Sequence, residues 1–214
     1  MIRAITNTLA LGLGALVGNQ MSLRIACHRS PYPMPHQLAA MLEHPWRLRY
    51  RHPAEDVGLY GCGPGMNVLD LGCGTGFYTE ALADRVGEGG LVHAVDLQRP
   101  LLSQAEQRLF AAGLSQRVRF HWCGAYQLPL ADASIDLAIV IATLSQIPNR
   151  QLALAELARV LKRDGRLVVS EEMPDPAYTP PPVVRRWVQE AGFRFGGQSG
   201  AWFCYHQIYF NQRA

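Results

Sequence analysis

The chain has 214 residues, 49% hydrophobic and 17% charged, which is long enough for one domain with a sizeable core and too apolar for disorder. Twenty basic residues, of which only Lys162 is a lysine, stand against 17 acids. The net charge of +3, with no aromatic–basic RNA motif, excludes an evident nucleic-acid footprint.

Charge is uneven along the chain. Residues 1–53 hold six arginines and one acid, Glu43, and the rest is slightly acidic. This basic opening predicts contact with an anionic membrane surface or a membrane-protein partner through residues 1–30. Leu9 to Val17 is uniformly apolar but shorter than the ~20 residues of a membrane span. Three readings stay open for it: a helix packed on its own domain or a second subunit, an interfacial membrane helix, or a span or signal. The proline-rich RSPYPMP is a linker, His36 to Glu43 a short helix, and HPWRLRYRHP carries aromatic and arginine side chains between prolines. Trp46, Arg47 and Tyr50 are candidates for a lid or for surface packing. A brief helix over 54–60 precedes the loop GCGPG.

From Asn67 the pattern becomes regular. Strands are expected at 68–72, 91–95, 118–122, 135–141 and 166–171, and helices at 77–86, 100–112 and 150–161, the last stopped by Asp164-Gly165. Apolar strands alternating with helices imply parallel βαβ units. Beyond Met173 come the loop PDPAYTPPP, a helix over 183–191, and two aromatic strands joined at Gly200 as an antiparallel hairpin. The Trp202–Phe210 aromatics read as sheet core and face. Glu171 and Glu172 read as a solvated strand end, or as a base or substrate-orienting group.

The five cysteines (Cys27, Cys62, Cys73, Cys123, Cys204) are odd in number, spread wide and without a CxxC pair, which suits reduced thiols in a cytoplasmic setting. His121 and Cys123 match no standard zinc spacing, so no metal is expected.

The stretch VLDLGCGTGFY joins a strand to a helix through Gly72, Gly74 and Gly76. Phe77 occupies the place of the third glycine of a dinucleotide fingerprint, and no Gly-Lys-Ser/Thr follows, so a P-loop is excluded. Asp70 ends the first strand, where a carboxylate repels phosphate and attracts a cation. Asp96 ends the second, where an acid accepts from both ribose hydroxyls. A ligand with a ribose, positive charge and no phosphate fits both acids, which points to S-adenosyl-L-methionine.

Here the chain resembles the class I S-adenosylmethionine-dependent methyltransferases, in particular the small-molecule group with quinone and sterol methyltransferases, over about Gly65 to Glu172. VLDLGCGTGFY is similar to the family's first motif, HAVDLQ to its second, CGAYQLPLADASIDLAIV to its third region and ELARVLKRDGRLVVSEE to a helix and fifth strand. The resemblance implies a Rossmann-like, doubly wound, mostly parallel seven-stranded α/β sheet with an antiparallel C-terminal hairpin. It would comprise an N-terminal helical extension and lid over 1–53 and a methyltransferase domain over 54–214. It implies that Asp70, Gly72, Cys73, Gly74 and Gly76 border the methionine part, that Asp96 holds the ribose, and that Leu97, Gly124 and Ala125 border the adenine. Relatives usually carry an aspartate where Gly124 stands and often histidines where TLSQIP stands. No catalytic residue is singled out. The expected function is methyl transfer to a small hydrophobic or lipid-like acceptor, cytoplasmic and peripheral to the membrane. The alternatives are a catalytically silent subunit assembling a membrane complex and, less well matched, a nucleotide-dependent oxidoreductase.

Overall fold

The computed structural model describes residues 14 and 18–213. The apolar run at 9–17, apart from Gly14, therefore lies outside the described residues. Helix α1 covers 18–29, and a 3-10 stretch follows at His36–Glu43. Helix α2 (Pro53–Leu59) begins on a proline, whose missing N–H costs nothing at a helix start. Then come β1 (Asn67–Leu71), α3 (Phe77–Val86), β2 (Leu91–Asp96), α4 (Arg99–Ala111), β3 (Val118–Trp122) and β4 (Ile135–Ile141). The chain finishes with α5 (Arg150–Val160), β5 (Leu161–Glu172), α6 (Pro181–Glu190), β6 (Phe193–Ala201) and β7 (Cys204–Asn211).

Among the described residues seven strands form one sheet in the order β3-β2-β1-β4-β5-β7-β6. The first five are parallel, and β7 runs antiparallel between β5 and β6. The expected fold class is the one observed. The central strands are mostly apolar because both faces are covered. Leu69, Ala138 and Val169 face a cluster with Leu154 and Leu157 of α5. Val68, Leu137 and Val168 face one with Leu82 of α3 and Leu109 of α4.

Two local expectations need correcting. Helix α5 stops at Val160, and Asp164 (φ 59) turns within the irregular start of β5. Trp202 and Phe203 make the C-terminal turn, while Gly200, at φ +85, pairs with Tyr205 inside β6. The short helix expected at His36–Glu43 is present, as a 3-10 helix.

Strand order reverses at β1, with β2 on one side and β4 on the other. The loops at the carboxyl ends of these strands part there and leave a crevice.

Candidate active site

The crevice is a cavity of about 430 Å³. Its floor is the turn from β1 to α3. Gly72 has φ +79, and a Cβ there would fall 2.4 Å from Thr143 Oγ1, so only glycine fits. The amides of Gly72 and Cys73 both donate to Val95 O, Gly74 N donates to Asp96 Oδ2 (2.9 Å), and Gly76 N donates to Cys73 O. Four amides of this turn are thus spent on the protein's own oxygens and do not point at a ligand.

Both predicted acids lie in this wall and are almost fully buried. Asp96 is fixed by backbone: Gly74 N on one oxygen, Gln98 N (2.8 Å) on the other. Burial raises its pKa, and those amides hold the rise back. Asp70 accepts from Thr79 Oγ1 at 2.7 Å. Burial pushes it up to about 7, against the Thr79 hydrogen bond and with help from the Asp96 charge. A cation placed beside it favours its ionised form.

Of the other predicted residues, Gly72, Cys73, Gly74, Leu97, Gly124 and Ala125 line the cavity. A Cβ on Gly124 would stand 3.9 Å from Leu97 Cδ1, ordinary van der Waals contact, so these two positions are neighbours in one part of the wall. Cys73 is a packing residue, because burial, then Asp70 and Asp96, push its thiol well up and keep it protonated. Gly76 stands apart from the lining. It caps α3 at φ 81, and a Cβ there would meet Ala105 of α4 at 2.9 Å, so this glycine seats one helix on another.

The N-terminal segment closes the cavity. Pro33, Met34, Leu42 and Arg47 line it. Gln98 bridges to the backbone on either side of Pro35: its Nε2 donates to Met34 O (2.8 Å) and its Oε1 accepts from His36 N (3.1 Å). Gln146 Oε1 accepts from Met34 N at 2.9 Å. Ala142, at φ +49, makes the turn after β4 that carries Thr143 and Gln146 to the cavity. Arg24 of α1 donates to Met173 O, beyond the end of β5.

Glu171 and Glu172 are not solvated: both are buried, at 0% and 5% exposure. Glu172 receives Arg47 Nε (2.8 Å) on one oxygen and Arg51 Nε (3.0 Å) on the other. Burial would raise its pKa, but the two guanidinium groups hold it below the usual carboxylate range. Glu171 accepts from Ser145 Oγ (2.8 Å) and is pushed up to about 8, first by burial. Of the lid candidates, Arg47 reaches the cavity, while the Trp46 and Tyr50 rings pack against each other at a tilt, outside its lining. Sequence reading did not single out Arg51, Asp56 or Tyr78. The available signal was Arg47 and Arg51, four residues apart in the aromatic and arginine-rich HPWRLRYRHP. His121, raised above with Cys123, instead stands 3.0 Å from His93.

The family described as "Methyltransferase domain" matches residues 63–190. The chain belongs to that family. This methyltransferase domain is 38% identical over 125 residues to a ubiquinone/menaquinone biosynthesis C-methyltransferase UbiE of Hydrogenovibrio crunogenus, covering 58% of this chain and 48% of the relative. It is 38% identical over 105 residues to a demethylmenaquinone methyltransferase of Lactiplantibacillus plantarum, covering 49% and 44%. The chain thus spans just under half the length of these curated relatives. A SAM dependent methyltransferase from Aquifex aeolicus superposes with a TM-score of 0.75 at 26% identity, covering 84% of this chain and all of that one.

Proposed function

We propose that this methyltransferase-family chain transfers the methyl group of S-adenosylmethionine to a small hydrophobic acceptor of quinol-like character. The observation that carries this reading is the cavity itself: two buried acids at a glycine turn, where carboxylates repel a phosphate and attract a cation, facing walls built from Pro33, Met34, Leu42, Phe77 and Ile147. When bound, the cofactor supplies an electrophilic methyl on a sulfonium. The chain supplies position and dryness. Asp96, its oxygens fixed by backbone amides, would receive ribose hydroxyls, and Asp70 would offset the cofactor's positive charge. Leu97 and Gly124 would border the adenine, and Gly124 leaves recognition of its amine to backbone. The quinol-like acceptor is suggested by the names of the relatives and suits the apolar walls.

Residues 54–214 would be the methyltransferase unit and residues 1–53 its cover. The cover would also be the membrane-facing part. Among the described residues, eight of the fifteen exposed large apolar side chains lie between Met21 and Leu48, in the arginine-rich quarter of the chain. No helix among the described residues is long and apolar enough to cross a membrane. Sedimentation with anionic and with neutral vesicles tests the membrane-facing role, and equal recovery in the supernatant from both would refute it.

Isothermal titration with S-adenosylmethionine, S-adenosylhomocysteine and NADH tests the cofactor. Micromolar binding of the two adenosyl ligands, absent for NADH and lost in Asp96→Ala, is expected. A folded protein that binds neither adenosyl ligand would overturn the reading and favour an assembly subunit.

A further inference from the structure

Behind the cavity wall lies a buried row of polar side chains that cofactor binding does not explain. Tyr78 lines the cavity, and its Oη donates to Asp56 Oδ2 of α2 at 2.5 Å. The other oxygen of Asp56 faces His206 Nε2 of β7 at 4.0 Å. His206 Nδ1 lies 2.7 Å from Tyr60 Oη. Burial, then the Arg51 charge, brings the His206 imidazole down to about 4, so the ring is neutral at physiological pH. With Tyr60 donating to Nδ1, the hydrogen sits on Nε2 and points at Asp56. Arg51, its side chain fully buried, has an Nη2 with no partner. Burial holds the Tyr78 hydroxyl above its ordinary value, the Arg51 charge offsets part of that rise, and Asp56 adds to it.

Five polar side chains drawn from α2, α3, β7 and two loops are a costly way to fill a core. Their order, however, is that of a proton path leading away from the cavity: hydroxyl, carboxylate, neutral imidazole.

We propose that Tyr78 and Asp56 form the proton-accepting pair of the acceptor subsite, with His206 and Arg51 as positioning residues, so that the acceptor is one that must lose a proton: a hydrophobic phenol, enol or activated carbon acid. This deepens the methyl-transfer reading and rests on it. The acceptor's electron pair forms the new bond to the methyl carbon, and the carbon–sulfur bond breaks with its pair remaining on sulfur as a neutral thioether. The acceptor proton passes to Tyr78 Oη, and the proton of Tyr78 passes to Asp56 Oδ2. The positive charge of the sulfonium and the negative charge of Asp56 disappear together, so no new charge is stranded in a dry site. Asp56 returns its proton to water when the product leaves.

The test needs no turnover. Para-nitrophenol absorbs differently as phenol and phenolate. It is titrated into wild type, Tyr78→Phe and Asp56→Asn in the presence of S-adenosylhomocysteine, at a pH where the free probe is mostly neutral. The expected result is an ionised-to-neutral ratio about tenfold higher for probe bound to wild type than for free probe, and no such rise in either variant. Both variants should bind S-adenosylhomocysteine within about threefold of wild type, since neither residue is assigned to that ligand. Tyr78→Phe keeps the ring and guards against a folding failure of Asp56→Asn. A wild type that binds the probe only as neutral phenol, or not at all, overturns the proposal. So does a variant that binds both molecules and ionises the probe as wild type does. Failure of wild type to bind S-adenosylhomocysteine would instead overturn the cofactor reading.

Discussion

The site is built in opposite ways at its two ends, the glycine turn that floors the cavity and the buried cluster behind the cavity wall. At the glycine turn, Asp96 is fixed by amides two and twenty-two residues away, so the geometry is written in a short stretch of chain. At the other end, Arg47 and Arg51 meet Glu172 across 125 and 121 residues, and Tyr60 meets His206 across 146. The first end is made by backbone and survives the loss of a side chain. The second is made by side chains that depend on one another.

Breaking each end should therefore look different. Glu172→Gln leaves two buried guanidinium groups without their shared counter-charge, and a destabilisation of ~3–5 kcal/mol is expected, read from denaturant midpoints. Asp96→Ala should do the reverse, leaving thermal stability near wild type while lowering affinity for S-adenosylmethionine about 100-fold, or ~2.7 kcal/mol, by calorimetry. A variant that lost both equally would erase the distinction.

Titration sharpens it further. Glu171 ionises near 8 in the folded chain and near the ordinary carboxylate range when unfolded. The unfolded chain therefore holds fewer protons between those values, and stability falls as pH rises through that window. Glu171→Gln should remove that fall, giving a melting temperature above wild type at pH 8 and a gap that closes toward pH 5. Asp70 supplies the ligand counterpart, since it ionises near 7. Preference for S-adenosylmethionine over uncharged-sulfur S-adenosylhomocysteine should grow several-fold as pH rises through 7, because a carboxylate attracts a sulfonium and a carboxylic acid does not. The smallest effect is expected of Gln98→Ala. Losing its two bonds to the segment around Pro35 should weaken cofactor binding by about fivefold, or ~1 kcal/mol, mainly through faster dissociation seen in stopped-flow.

The same contrast explains what could be read in the sequence. Strand β1, the glycines, Asp70 and Asp96 follow from local rules: an apolar run, a turn only glycine can make, acids at strand ends. Glu172 looked solvated because a strand end normally is. Nothing within ten residues of it says that two arginines from the first quarter of the chain will cover it. Gly76 was legible as a glycine that must be there, but its reason, the close approach of α4, comes from a helix thirty residues on. The Tyr78–Asp56–His206 row is three unremarkable residues on three elements, brought together by the sheet order.

The segment around Pro35 is fastened through its main chain: Met34 N, Met34 O and His36 N are the atoms that Gln98 and Gln146 hold. A clasp of this kind does not care which side chains the strap bears. Pro33 and Met34, which face the cavity, are free to change without undoing it. The chain thus carries an adjustable wall on a fixed hinge line, where acceptor fit can drift or be redesigned while the floor beneath stays constant.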